Sequence, residues 1–433
     1  EIDSRMLEED TFFIPLKGEK VDSHQFILQC VKKKASGFFI ESNYKDKDEI
    51  IEKSKTINAN IIIIEVMDTQ KALVDLAIYN RQKHIEVPVI AITGSVGKTS
   101  TREMIASVVE RKYSMLVTKK NYNSNIGLPL MMLELDKQEV CVLEAGMNHK
   151  DEMNELSLIL KPDICVITNI GNAHIGILGS QENIFHEKIQ ITNFIKGMRK
   201  LIINEDDSYL CTLKDCNEYQ VMISSLSEVY NKKIKEDSIY FQTKIYEELT
   251  PVVINQIGNH NIQNALMAIK VGELLEISRE DILEGIKNYK NFKGRLEKKY
   301  LANHVLLIDD TYNASIDSMR SGLMTVHELD GKRKIAVLGD MLELGEFAID
   351  IHTQVGEIFK DLNYDRIYTL GDLAKNINKE ACKYVPYIKN FDNRKDLEQE
   401  LITNLRSGDI VYFKASNAMH FGDIIKFLED NVK

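Results

Sequence analysis

The sequence predicts an α/β protein in three parts: a small N-terminal α/β domain over residues 1–83, a central parallel-sheet domain built like a phosphate-loop (P-loop) ATPase over 84–294, and a C-terminal Rossmann-like domain over 295–433. Three observations lead there. The chain has 433 residues, room for two to four domains at ~150 residues each. Short β-branched apolar runs alternate with helical stretches in two separate regions, the pattern of a parallel sheet covered on both faces. One of those runs passes into a glycine-containing loop and then directly into a helix.

Taken in order, residues 11–14, 37–40 and 61–65 read as short strands, and 25–34 as a helix. Polar Arg81-Gln82-Lys83-His84 precedes Val87-Pro88 and marks the first boundary. Residues 89–93 form a β-branched apolar strand, 98–111 a helix, and 140–143 and 164–168 two further buried strands with a helix between them. The stretch 205–256 is more polar and strand-like, with a clear strand at 238–241. A helix over 261–276 turns Ala265, Leu266, Ala268 and Ile269 inward. The second boundary falls within 288–296. Strands at 305–308, 335–338, 366–368 and 410–413 then restart the alternation. Functional loops are expected at the carboxyl ends of such strands.

Composition narrows the function. Apolar residues are 44% and charged residues 28% of the chain, ordinary for a globular protein and too apolar for a disordered one. The net charge of −11 argues against a nucleic-acid partner, while leaving room for a local basic cleft. The longest apolar run, Ile61 to Ile64, is far short of the ~20 residues of a membrane span. Glu1-Ile2-Asp3 opens without the basic and apolar regions of a signal peptide. The 6 cysteines are irregularly spaced with no CxxC pair, as expected of reduced, mostly buried thiols in a cytoplasmic protein.

The chemistry concentrates in Thr93-Gly94-Ser95-Val96-Gly97-Lys98-Thr99-Ser100. Glycines let the backbone curl so that N–H groups face phosphate oxygens, and the helix N-terminus adds partial positive charge. Lys98 neutralises phosphate charge and the Thr99 hydroxyl suits Mg²⁺. The spacing is shorter than GxxxxGK[ST], with two residues between Gly94 and Gly97. Glu144, at the end of the 140–143 strand, is a natural Mg²⁺ ligand beside such a loop. His174 follows the 164–168 strand in Thr168-Asn169-Ile170-Gly171-Asn172-Ala173-His174. It is read either as a ligand for metal or phosphate or as a structural histidine.

The loop is followed in order by NYNSNIGLP (121–129), LEAGMN (143–148), ITNIGNAH (167–174), GNHNIQNA (258–265), GRLE (294–297), IDDTYNAS (308–315) and LGDMLELGE (338–346). Asp3-Ser4-Arg5, Leu16-Lys17-Gly18-Glu19 and Asp22-Ser23-His24 open the chain. This series resembles the Mur ligases over nearly the whole chain. The resemblance implies an ATP-dependent amide ligase with two Mg²⁺ ions, working through an acyl phosphate. Its implied substrates are UDP-N-acetylmuramoyl-tripeptide and D-Ala-D-Ala, and its implied state is a monomer. It also implies that the N-terminal domain binds UDP. Lys98 and Thr99 would hold phosphates and one metal with Glu144; His174 and Lys188, a position carbamylated in related ligases, would hold the second. Asn261, Asn264, Arg295 and Asp310 would contact ATP, Asp310 at the ribose. Asp3, Ser4, Arg5, Asn123 and Asn125 would meet the UDP-peptide. Departures from the family pattern at Ser23, Ser124, Ile316 and Asn417 leave a second reading, a paralogue with the same chemistry on another peptide or amine.

Overall fold

The computed structural model describes residues 1–18, 20–235 and 238–432; Glu19, part of the opening motif, lies outside them. The chain forms two compact units. One comprises Glu1–Glu86, Thr118–Asp136 and Leu158–Leu160; the other comprises Val87–Val117, Lys137–Ser157 and the chain from Lys161 onward.

The first unit holds a three-stranded parallel sheet in the order Phe12–Phe13, Gly37–Glu41, Ile62–Val66. Phe13, Ile27, Phe38 and Ile40 form its core. The single helix expected at 25–34 is a short 3-10 turn, Ser23–Phe26, followed by the helix Ile27–Lys32. Asp22 starts the turn by accepting from the His24 N–H at 3.0 Å. Two further helices, Lys47–Ile57 and Thr69–Lys83, complete the layer. The polar run at 81–84 is the end of the second of these. Arg81 is fully buried there because its guanidinium donates to the carbonyls of Leu160 at 2.7 Å and His84 at 2.6 Å. Asn80 likewise donates to the carbonyls of Met132 and Leu135, tying the helix Gly127–Leu133 to this unit.

The second unit contains a six-stranded, wholly parallel sheet in the order Met115–Val117, Val140–Glu144, Val89–Thr93, Ile164–Ile167, Lys200–Asn204, Gln220–Ser224. Val89–Thr93 is buried at every position, which is why its sequence runs apolar instead of alternating. Helices Lys98–Val109, His260–Leu274 and Arg279–Asn288 contribute to its core. So does the inner face of an antiparallel sheet, Tyr230–Lys235, Ser238–Ile245 and Glu248–Ile254, through Ile239, Phe241, Val252 and Ile254. A second six-stranded sheet follows, in the order Glu297–Tyr300, Leu306–Asp309, Asp409–Lys414, Arg333–Gly339, Arg366–Leu370, Tyr387–Phe391. Its first strand is antiparallel, the rest parallel, and it carries a hydrophobic core on each face. No helix among the described residues is long and apolar enough to cross a membrane.

The cysteines are all free, but only Cys30, Cys141 and Cys165 are buried, fewer than expected. Cys211 and Cys382 are exposed because each sits in or just after a short surface helix.

Candidate nucleotide and ligation site

The central strand Val89–Thr93 lies between Val140–Glu144 and Ile164–Ile167, so the carboxyl ends of all three converge. The loop leaving the central strand turns on two glycines, Gly94 at φ +148° and Gly97 at φ +83°, and feeds the helix Lys98–Val109. A Cβ on Gly94 would lie 1.9 Å from Thr168 Oγ1. The loop is braced from the neighbouring strand end. Thr168 Oγ1 and Asn169 Nδ2 donate to the Val96 carbonyl at 2.7 and 2.9 Å, while Asn169 Oδ1 accepts from the Val96 N–H at 2.9 Å. The Gly171 N–H donates to Ser95 Oγ at 2.8 Å. Lys98 folds back over the turn, its ammonium donating to the carbonyls of Gly94 at 2.8 Å and Ser95 at 3.3 Å. Burial pulls the Lys98 pKa down, Glu144 opposes that and Arg295 adds to it. The result is a lysine ammonium held over the turn at a helix N-terminus, an arrangement that attracts phosphate.

Thr99 Oγ1 donates to Glu144 Oε2 at 3.0 Å. His174 takes a left-handed conformation at φ +68°, and its buried Nδ1 has no hydrogen-bond partner, with Glu343 Oε2 3.8 Å away. Burial, then Lys98, Lys188 and His149, hold its pKa down at about 3, so it is a neutral imidazole. Lys188 is 1% exposed, and burial and Lys98 hold its ammonium well below the usual lysine range. Among the described residues no three His, Cys, Asp or Glu side chains form a metal cage. The Thr99 hydroxyl and the Glu144 carboxylate, joined by their hydrogen bond, are oxygen donors of the kind that suit Mg²⁺, which takes one or two protein groups and completes its shell with phosphates and water.

A cleft of about 320 Å³ opens from the loop at Val96, Gly97 and Ser100 and runs to Arg295, Asp310 and Lys414. The predicted ATP-side residues divide here. Asn264 lines the cleft and accepts from Thr101 Oγ1 at 2.9 Å, joining two helices. Asn261 is fully buried, and its amide donates to the Ile257 carbonyl at 2.7 Å, holding the start of its own helix. Arg295 stacks over the Tyr312 ring at 4.4 Å and leaves its buried Nε unpaired. Asp310 Oδ2 accepts from Lys414 at 2.6 Å and from the Tyr412 hydroxyl at 2.9 Å.

The predicted substrate-side residues all lie in the first unit. Asp3 and Arg5 pair through two hydrogen bonds of 2.7 and 2.9 Å, which hold the Asp3 carboxyl down at about 2. The carbonyl of buried Ser4 accepts from Lys33 at 2.8 Å. Asn123 and Asn125 sit in the turn before the helix Gly127–Leu133, and both are half-buried.

Sequence reasoning missed the loop's braces, Thr168 and Asn169, although both stood in the run quoted for His174. It also missed Tyr412, Lys414 and Gln263. Gln263 lines the cleft and is fixed by donating to Asn204 Oδ1 at 2.8 Å and the Ser224 carbonyl at 2.9 Å. Its place two residues after Asn261 in the GNHNIQNA run was the only signal available.

A glycine-shortened phosphate loop on a parallel sheet, facing a Rossmann-like sheet across one cleft, defines an ATP-dependent ligase of the Mur type. The Mur ligase middle domain matches residues 92–272, and the Mur ligase glutamate ligase domain matches 294–417. This chain belongs to the Mur ligases. It is 34% identical over 440 residues to the UDP-N-acetylmuramoyl-tripeptide–D-alanyl-D-alanine ligase of Bacillus subtilis (strain 168), covering 98% of this chain and 92% of the relative. It is similar to the crystal structure of MurF from Acinetobacter baumannii, with TM-score 0.88 and 30% identity over 100% of this chain and 93% of that one. It is also similar to MurF ligase from Thermotoga maritima, solved in complex with ADP, with TM-score 0.86 and 25% identity over 100% and 97% of the two chains.

Proposed function

We propose that this protein joins D-Ala-D-Ala to UDP-N-acetylmuramoyl-tripeptide at the expense of ATP, a step of peptidoglycan precursor synthesis. The observation that carries the reading is the braced turn of residues 93–100, opening into the cleft that ends at Asp310. A cytoplasmic location belongs to the same reading, supported by the use of ATP and a nucleotide-linked peptide.

A free carboxylate is a poor acyl donor because its leaving group would be oxide. A carboxylate oxygen of the tripeptide attacks the γ-phosphorus of ATP, the bond to the ADP oxygen breaks, and an acyl phosphate forms. The amine of D-Ala-D-Ala then attacks the acyl carbon, phosphate departs with the former carboxylate oxygen, and the amine loses a proton. The protein's contribution is positioning and charge neutralisation. The N–H groups of Gly97, Lys98 and Thr99 at the start of the helix and the Lys98 ammonium hold the β- and γ-phosphates. Lys98 exchanges its contacts with Gly94 and Ser95 carbonyls for phosphate oxygens. Thr168 and Asn169 keep the loop in shape for this. Arg295, its guanidinium plane fixed on Tyr312, faces the nucleotide, and Asp310 accepts from the ribose. Mg²⁺ would be held by Thr99 and Glu144, and a second ion by His174 and carbamylated Lys188, where it supplies charge neutralisation for the phosphates. Asp3, Ser4, Arg5, Asn123 and Asn125 are the residues we assign to the UDP-peptide.

The test is ADP release coupled to a chromogenic readout. Turnover requires both the UDP-tripeptide and D-Ala-D-Ala, and Lys98→Ala abolishes it. Silence with that pair, but turnover with another acid or amine, would replace the substrates while keeping the reaction.

A further inference from the structure

Asp310 is held on one side only. Its Oδ2 accepts from the Lys414 ammonium at 2.6 Å and from the Tyr412 hydroxyl at 2.9 Å, and Lys414 also reaches the Asp310 carbonyl at 3.3 Å. Oδ1 accepts no hydrogen bond among the described residues and is not an enclosed atom, and Asp310 and Lys414 both line the cleft.

The fold is shaped around this arrangement. Lys414 and Tyr412 lie on the strand Asp409–Lys414, paired in register with Leu306–Asp309, and the Asp310 N–H extends that ladder by donating to the Phe413 carbonyl at 3.1 Å. The helix Ile316–His327 has a glycine at 322 where it passes over the strand. A Cβ there would lie 1.9 Å from the Tyr412 hydroxyl, so only glycine leaves room for that donor. The Lys414–Asp310 side chains are 1% and 8% exposed. Burial draws the Lys414 ammonium down while Asp310 draws it back up. An ion pair this deep is a weak source of stability, because desolvation offsets the attraction. Its value lies in what it fixes, namely the direction of one carboxylate oxygen.

We propose that Lys414 is a positioning residue that holds Asp310 with one oxygen free for the ribose hydroxyls of the nucleotide, and so sets the affinity for ATP rather than the rate of phosphoryl transfer. The proposal rests on the assignment of Asp310 to the ribose. Lys414 touches no nucleotide atom in this scheme. With Lys414 gone, the carboxylate loses its charge partner and swings toward solvent, and the acceptor is no longer aimed.

The experiment compares ATP with 2′,3′-dideoxy-ATP in the full-length enzyme, with both other substrates saturating. The variants are Lys414→Met, Lys414→Arg and the gentler Tyr412→Phe. A hydrogen bond to a charged acceptor corresponds to about tenfold or more in affinity. The wild type therefore has a KM for ATP about tenfold or more below that for the dideoxynucleotide. Lys414→Met raises KM for ATP about tenfold with kcat changed little, and leaves KM for dideoxy-ATP where it was. Lys414→Arg recovers part of the loss, and Tyr412→Phe shows a smaller effect of the same kind. Should Lys414→Met fail to fold, Tyr412→Phe carries the same comparison. Equal losses for both nucleotides, or a loss confined to kcat, overturn the positioning role while leaving Asp310 on the ribose. A wild type that treats the two nucleotides alike overturns the ribose assignment itself, and the proposal with it.

Discussion

The Thr99 hydroxyl donates to Glu144 Oε2 at 3.0 Å, and the buried Arg102 guanidinium lies 3.5 Å from the same oxygen. One residue opens a helix and the other ends the neighbouring strand, so the sheet topology itself delivers a hydroxyl and a carboxylate to the mouth of the phosphate loop. Arg102 helps to hold that carboxylate in place. Thr99→Val preserves the shape and removes the hydroxyl. Turnover falls by about a hundredfold or more, the scale seen when one preorganised polar group is lost, while the melting temperature moves little. Near-normal ADP release from this variant contradicts the assignment.

Gly94 sits at φ +148° with Thr168 Oγ1 in the space a Cβ would need. Gly94→Ala therefore both strains the backbone and displaces the Thr168 hydroxyl from the Val96 carbonyl. The strain alone is about 1–3 kcal/mol. We expect a folded protein with a lowered melting temperature and nucleotide binding too weak to detect by calorimetry. Wild-type affinity for ATP in this variant would mean that the loop does not have to hold this shape.

Burial pushes the His260 imidazole down to about 4, against the pull of Asp310 and with help from Lys414 and Arg295. The unfolded chain titrates near 6.5. Above that pH both states are neutral and the contribution to stability is complete. As pH falls from about 6.5 toward 4, the unfolded chain takes a proton that the folded one refuses, and stability falls by up to about 1.4 kcal/mol per pH unit. His174, held at about 3, acts in the same direction. The melting temperature of His260→Asn is therefore expected to drop less than that of the wild type between about pH 7 and about pH 5. Parallel curves for the two proteins rule the effect out.

Lys188 is buried with its ammonium disfavoured, and a neutral amine is the form that attacks CO₂. Carbamylation would form the N–C bond with loss of a proton from the nitrogen and present anionic oxygens beside His174. Activity is expected to fall when dissolved CO₂ is stripped and to return with bicarbonate. Lys188→Ala loses most turnover and regains part of it with acetate or propionate. Indifference to both treatments contradicts carbamylation.

The parts of the fold legible in the sequence were those whose signal is local. Val89–Thr93, Val140–Glu144 and Ile164–Ile167 are buried on both faces, so their apolar runs announce themselves, and the glycines and lysine of the loop follow one of them at once. What stayed hidden depends on partners far along the chain. Arg81 reads as a surface charge until the Leu160 carbonyl is brought to it. The segment Thr118–Asp136 joins the first unit through contacts such as Asn80 with Met132, which no periodicity reports. The site follows the same division. Lys98 and Thr99 are motif residues, while Lys414, Tyr412 and Gly322 matter through Asp310, about a hundred positions away from the first two in sequence but adjacent in the sheet. Asn261 shows the opposite case: it belongs to a motif, yet its amide is occupied by the Ile257 carbonyl just before its own helix.

The central claim, that the phosphate loop passes the terminal phosphoryl group of ATP to a carboxylate, is tested most directly by isotope transfer. UDP-tripeptide labelled with ¹⁸O in its terminal carboxylate is turned over with ATP and D-Ala-D-Ala, and the released inorganic phosphate is analysed by mass. An acyl phosphate requires one labelled oxygen in each phosphate released. Phosphate that emerges unlabelled while ligation proceeds would contradict the account.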